Sequence, residues 1–296
     1  MFISNELKKL EKVEHISEIR ESFFNILYDV VSNFIKDKSM FDMDNFSAIY
    51  YDEFTLETNC HKDIFSTIYL EIDQPLNYKI MDKKISKVKT RKETDKIKFP
   101  DLYLDIEVIL ESLFDCFINN LDHNNIVWLD EYSINIKSIV SDNDNQINNY
   151  YFKIIPCLTY HNKNNESGVI YKKNKGIEIE YPKLSIDNYA KKNKVTKGVY
   201  RNIILMIKNI LLKNKDINTL PKEIIEILLY NVPNEMFKDE SKKTLVNIIN
   251  FVRNNNVKSF KTIDEQDLAF TSVYRSLSPY YVKHIIKIIE KYLIQN

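Results

Sequence analysis

Two short acidic pairs are the first residues in this chain whose types and spacing suit chemistry. Glu71-Ile72-Asp73 and Asp105-Ile106-Glu107 each set two carboxylates at a spacing of two. On a strand, that spacing puts both groups on one face, as a divalent metal would require. The first pair, however, ends its strand signal just before Pro75, and the second falls in a helical pattern, where positions i and i+2 point apart. Both read as ordinary solvated carboxylates. A second candidate is zinc, through Cys60, His61, Cys157 and His161. Adjacent Cys60 and His61 are poorly placed to reach one ion, and the spacing matches no compact zinc motif, so cysteine as a small core residue is the preferred reading. His15, His123 and His284 have no nucleophile or carboxylate partner in sequence and read as incidental.

Positive charge is the other chemical resource. The 42 basic and 42 acidic side chains of the 296-residue chain cancel, so no global field steers it toward nucleic acid or membrane, and any attraction to polyanions must be local. Lys79 to Lys98 holds nine basic residues against three acidic ones and reads as an exposed loop or hairpin. Lys183 to Lys215 holds nine Lys or Arg against the single acid Asp187. Within it Arg201 and Lys208 are seven apart and share a helical stripe. The bland alternative is a face of solvated or snorkelling lysines.

Three glycines, at 168, 176 and 198, are too few and too scattered for a phosphate-cradling loop, which excludes a P-loop and a dinucleotide fingerprint. An odd cysteine count without a secretory leader points to reduced thiols and a cytoplasmic protein. No apolar run approaches the roughly 18 to 20 residues of a membrane span.

These groups must be positioned by two kinds of element. Residues 14–37 place Ile16, Ile19, Phe23, Leu27, Val30 and Phe34 at steps of three and four, the pattern of an amphipathic helix. Strand-favouring residues follow at 48–51, 64–72, 132–140 and 151–158, with a further helix over 102–121 between them. From about Asp187 helical periodicity takes over. The segment 199–213 is apolar around most of its circumference, as a buried spine would be. More helices are expected over 221–230, 241–254, 265–277 and 281–294. The chain therefore divides into an α/β lobe, residues 1–186, and a helical lobe, residues 187–296.

Several ordered blocks carry a family resemblance. Tyr181-Pro182-Lys183-Leu184, the run from Asn193 to Arg201, Ile207-Lys208-Asn209, and the run from Leu228 to Asn234 resemble the helical spine, and the segment after it, of the bacterial nucleotidyltransferases related to cyclic GMP-AMP synthase, the CD-NTases. The resemblance spans roughly residues 14 to 255. It implies an α+β, polymerase-β-like nucleotidyltransferase fold: a mixed-sheet N-terminal lobe, a helical C-terminal lobe and a cleft between them. Active members carry Gly-Ser-Phe-x-x-Gly-Thr, a spacer, then Asp-φ-Asp on a strand, with a third aspartate in a φ-Asp-φ-φ-Pro strand.

The catalytic half departs from that pattern. The first motif corresponds to Asp52-Glu53-Phe54-Thr55-Leu56-Glu57-Thr58, and the acidic strand to Asp63-Ile64-Phe65. The third carboxylate becomes Lys153 in Phe152-Lys153-Ile154-Ile155-Pro156. The reaction needs two magnesium ions held by clustered carboxylates. Here the resemblance leaves the vestigial Asp63 (minus one), Phe65 (zero) and Lys153 (plus one), so the formal charge of the cluster falls from minus three to zero. Asp52 and Glu53 add negative charge where a Gly-Ser turn would approach the triphosphate.

What this implies is a pseudoenzyme with no cofactor and no intact catalytic set. It would bind a nucleotide, nucleic acid or other polyanion in the cleft, or a protein partner, within bacterial anti-phage signalling. By resemblance, Lys197, Arg201 and Lys208 are the ligand-binding candidates, and Lys153 is expected to approach Asp63 in place of the metal. The alternative is an active nucleotidyltransferase making a cyclic or linear nucleotide messenger with Mg²⁺ through a displaced acidic site.

Overall fold

The computed structural model describes residues 14–37, 46–52, 64–72, 100–121, 125–141, 147–162, 164–173, 176–213, 220–221, 223–239, 242–270 and 277–295. Its contacts separate two compact units, one comprising residues 12–52 and 61–183, the other centred on residues 184–296. The basic segment 79–98, Glu53, Asp63, Cys60 and His61 lie outside the described residues.

The first unit opens with helix α1 (Glu14–Asp37). Strands β1 (Phe46–Asp52) and β2 (Ile64–Ile72) follow, then helix α2 (Pro100–Asn120). Five more strands complete the described sheet: β3 (Asn125–Leu129), β4 (Ile134–Ser141), β5 (Ile147–His161), β6 (Ser167–Lys173) and β7 (Gly176–Glu180). The main path runs β1-β2-β5-β4-β3, and β6 and β7 extend from the far end of β5. β2 and β5 pair in parallel while the other described pairs are antiparallel, so the sheet is mixed.

Alternation along the strands assigns the two faces. Ile68, Leu70 and Ile72 of β2, Phe152 and Ile154 of β5, and Ile134 and Ile136 of β4 are buried on one face. The helices pack there: Phe23 of α1 stacks on Phe152 with ring centroids 3.6 Å apart, and Phe34 meets Phe46 edge-on. The opposite face carries Phe65, Thr67, Tyr69 and Glu71 of β2 beside Tyr151, Lys153, Ile155 and Cys157 of β5.

The second unit is helical, with α3 (Pro182–Val195), α4 (Val199–Lys213), α5 (Ile224–Tyr230), α6 (Lys242–Asn254) and α7 (Pro279–Gln295). α4 is the expected spine, burying Tyr200, Ile203, Ile204, Ile207, Ile210 and Leu211 in the unit's core. The turn from α3 to α4 uses left-handed backbone at Lys197 (φ 53°) and Gly198 (φ 85°). The Gly198 amide donates back to the Asn193 carbonyl at 2.8 Å, which closes the end of α3.

The helix expected over 265–277 is not found in its described part. Residues 261–270 fold instead into turns closed by a Lys261–Leu268 bridge, and residues 271–276 lie outside the described set. The cause is a different use of the backbone groups: the Ala269 amide, which a helix would pair with the Glu265 carbonyl, donates to the Phe260 carbonyl at 2.8 Å, and the Asp267 carbonyl accepts from the Thr262 amide at 2.9 Å. Three strands, β3, β6 and β7, are additional to the four read from sequence.

Candidate ligand-binding site

Phe65 and Lys153, at two of the positions where the resemblance expects metal ligands, lie on the sheet face away from α1. Phe65 is directly opposite Tyr151 in the parallel β2–β5 register, and the two rings stack with centroids 4.5 Å apart at 11°. Lys153 lies two residues further along β5, opposite Thr67 on one side and Asn135 of β4 on the other. Its Nζ donates to the Tyr132 hydroxyl at 2.6 Å and sits 4.2 Å from the centre of that ring. Among the described residues Lys153 thus takes a phenol, not a carboxylate, as its partner. The Asp63 side of the expected pair falls outside them.

Tyr132 anchors a wider network. Lys173 of β6 lies 5.5 Å from the centre of its ring, and Tyr171 stacks on it at 5.7 Å. The Tyr171 hydroxyl donates to Glu180 at 2.9 Å, and the Tyr69 hydroxyl donates to the other oxygen of the same carboxylate. Gly168 makes room for this corner, because a Cβ there would meet the Glu180 carbonyl and the Tyr181 ring at 2.8 Å.

Of the acidic pairs read as solvated carboxylates, Glu71 is a correction, because it is buried and ion-paired. Asp105 and Glu107 are helical, within α2. Glu71 is 3% exposed, accepts from Ser47 Oγ at 2.8 Å and pairs with Lys183 at 2.7 Å, while its Oε1 is buried without a hydrogen-bond partner. Asp73 lies outside the described residues.

Cys157 is fully buried, and burial, then the nearby Glu71 and Glu180 carboxylates, push its thiol well above the usual range, partly offset by Lys183. That is an inert core thiol. His161 is exposed and four positions further along β5, roughly 13 Å away at strand rise. His284 stacks on Tyr280 with centroids 6.4 Å apart. Among the described residues no three His, Cys, Asp or Glu side chains converge as a metal site would need.

The basic candidates of the helical unit separate. Lys197 is exposed and Arg201 half-buried, the latter's backbone amide donating to Asn193 Oδ1 at 3.3 Å. Lys208 is a correction: it is 1% exposed and forms an ion pair of 2.6 Å with Glu226 of α5, itself fully buried. It faces the core, where it cannot meet a ligand. Sharing a helical stripe with Arg201 says nothing about which part of that stripe another helix covers.

Sequence reasoning also passed over Lys192. This buried lysine donates to the Val232 carbonyl at 2.7 Å and to Asn234 Oδ1 at 3.0 Å. The rings of Phe237, Tyr200 and Tyr230 surround it at 5.1, 5.5 and 5.6 Å. Burial lowers its ammonium to about 8, with Glu235 acting in the opposite sense.

Magnesium takes hard oxygen ligands in octahedral geometry. Phe65, Tyr151 and Lys153 offer a ring stack and a cation, so the described residues do not fit that ion.

A mixed sheet packed with helices, in a chain that also carries a separate helical unit, is the polymerase-β-like nucleotidyltransferase fold. Solved structures agree. The cyclic UMP-AMP synthase CdnE of Rhodothermus marinus, solved with Apcpp and Upnpp, superposes with a TM-score of 0.66 at 16% identity, covering 91% of this chain and 90% of that one. The CdnE cyclic dinucleotide synthase of Elizabethkingia meningoseptica, solved with GTP and Apcpp, gives 0.64 at 17% identity, covering 93% and 91%. In sequence, residues 187–294 match the family model of the cGAS/DncV-like nucleotidyltransferase C-terminal helical domain. The cyclic UMP-AMP synthase of Rhodothermus marinus (strain SG0.5JP17-172) is 32% identical over 96 residues, a match that spans 31% of this chain and 33% of the synthase. Over residues 187–294 the chain is thus similar to the CD-NTase family, and it shares the fold of the solved CdnE synthases.

Proposed function

We propose that this chain is a catalytically degenerate nucleotidyltransferase-like protein that binds a nucleotide-type polyanion without a metal ion, in a reducing cytoplasm. One observation carries the reading. Where the family resemblance calls for carboxylates, an aromatic stack of Phe65 on Tyr151 stands beside Lys153, which is held by Tyr132. The lysine repels magnesium and attracts phosphate, while the two rings offer a hard ion no carboxylate and offer a base a stacking surface. The CdnE structures solved with nucleotides and nucleotide analogues support this choice of ligand class. A role in anti-phage signalling rests on the family resemblance alone.

A displaced catalytic site finds little support. Glu71, the described member of the only strand-borne acidic pair considered, is 3% exposed and tied to Ser47 and Lys183, which shields it from substrate. The test is incubation with the four ribonucleoside triphosphates and Mg²⁺ or Mn²⁺. No pyrophosphate above the buffer control is expected. A product that disappears in Asp63→Ala overturns the reading.

A further inference from the structure

The aromatic stack is one end of a larger pattern set by strand register. Reading across β2, β5, β4 and β3, Phe65 lies opposite Tyr151, Tyr151 opposite Lys137, and Lys137 opposite Ile126. The next row on the same face reads Thr67, Lys153, Asn135, Trp128. Two parallel rows of four side chains therefore run across the sheet, from a ring stack at β2 to an indole at the edge strand β3. At about 4.8 Å between strands, the rows are roughly 14 Å long.

Three properties of these rows point to one ligand. The rings stay accessible in the folded chain: Phe65 is 38% exposed and Trp128 42%, and Tyr151 is half-buried. The charge is of one sign. Lys137 sits 5.7 Å from the centre of the Tyr151 ring, Lys153 and Lys173 flank the Tyr132 ring, and among the described residues the rows contain no carboxylate. Acids enter in the following row, where Asp130 lies two residues past Trp128 opposite Ser133, and where the Glu180 carboxylate accepts from Tyr69. The spacing is also right. A sheet face with rings on separate strands and lysines between them is how single-stranded nucleic acid is held, two or three bases stacking on the rings while the cations meet phosphates. A protein partner would leave three lysines to be desolvated without acceptors, unless it were strongly acidic.

We infer that this sheet face is a stacking platform for single-stranded nucleic acid, with Trp128 and the Phe65–Tyr151 pair as base contacts and Lys137 and Lys153 as phosphate contacts. It deepens the metal-free binding reading and rests on it, but extends the site to β3, three strands away from the vestigial carboxylate strand.

Trp128 is the single tryptophan of the chain, so its fluorescence reports on the platform directly. The full-length protein is titrated with a short mixed-sequence single-stranded RNA, the DNA of the same sequence, the corresponding duplex and ATP alone, each with and without EDTA. Single strands are expected to quench Trp128, to bind better than the duplex and to be indifferent to EDTA. Trp128→Ser should weaken single-strand binding about 5-fold to 100-fold, the range for one lost base stack, while Trp128→Phe retains most of it. Lys137→Glu should weaken binding and flatten its salt dependence. Both variants sit on an exposed or half-buried face, and circular dichroism confirms that they fold.

Equal binding of duplex and single strand, or single-strand binding untouched by Trp128→Ser, overturns the platform. Binding of ATP without EDTA sensitivity but no binding of either single strand also overturns it, while leaving the metal-free reading intact. Binding abolished by EDTA overturns both. A preference between RNA and DNA identifies whether a 2′-hydroxyl is read.

Discussion

The two units treat lysine in opposite ways. In the helical unit Lys192 and Lys208 are buried, and each has internal partners: a carbonyl, an amide oxygen and three rings for the first, the Glu226 carboxylate for the second. On the sheet face Lys137, Lys153 and Lys173 lie over the rings of Tyr151 and Tyr132. The positive run of residues 183–215 thus spends part of its charge on the core, and the sparser lysines of β4, β5 and β6 present theirs beside half-buried aromatics. Charge counted along a chain does not locate a binding surface. Burial and the partner of each cation do.

Removing internal lysines tests this contrast most strongly. Lys208→Ala leaves Glu226 buried without its cation and is expected to cost about 3 to 5 kcal/mol in chemical denaturation. Replacing both, as Lys208→Met with Glu226→Leu, should recover most of that loss, because an apolar pair needs no desolvation. A Lys208→Ala protein as stable as wild type would mean the ion pair is not internal.

Lys192→Met is expected to cost less, about 1 to 3 kcal/mol, chiefly by leaving the Val232 carbonyl unpaired. Its effect depends on pH. The folded ammonium titrates near 8, below the ordinary 10.5, so between those values the unfolded chain holds the extra proton. Wild-type stability should therefore rise relative to the variant as pH is raised from 8 toward 10. Tyr230, pushed upward by burial and by its 2.5 Å bond to Glu265, lowers the stability of both proteins once unfolded tyrosine ionises, and this common dependence cancels in the difference. A constant difference across that range would contradict the buried-cation account.

On the sheet face the expected costs are smaller. Lys153→Ala loses one hydrogen bond and one ring contact, about 1 kcal/mol. Lys137→Ala should change stability by no more than about 0.5 kcal/mol. The order Lys208, Lys192, Lys153, Lys137 is the sharp form of the comparison. A larger cost for Lys153 than for Lys208 would reverse it and favour the buried Asp63 pairing expected from sequence.

Much of the scaffold was legible from periodicity. The spacing of Phe23, Leu27, Val30 and Phe34 marks α1, the run 64–72 is β2, and the all-round apolar pattern of 199–213 is the spine. β3 and β7 span five residues each, too short for alternation to stand out, and β6 ends in two lysines. The failed helix after Asp264 shows backbone groups pairing across a turn, Ala269 with Phe260 and Thr262 with Asp267, which periodicity does not weigh.

The site was legible only where a family pattern supplied a reference. Phe65 and Lys153 stand out because an acid belongs at each place by resemblance. Tyr151, Lys137 and Trp128 join them only through register, a non-local property fixed by pairing across four strands. Lys208 was misassigned for the same reason, because its partner Glu226 lies on another helix.

The central claim is that the chain binds nucleotide-type ligand without catalysing its transfer. The most direct measurement is release of pyrophosphate from a mixture of ATP, GTP, CTP and UTP with Mn²⁺ or Mg²⁺, beside ligand binding measured with and without EDTA on the same preparation. Binding that survives EDTA, with no pyrophosphate above the buffer control, is the predicted result. Pyrophosphate formation that depends on the metal and is lost in Asp63→Ala would contradict it.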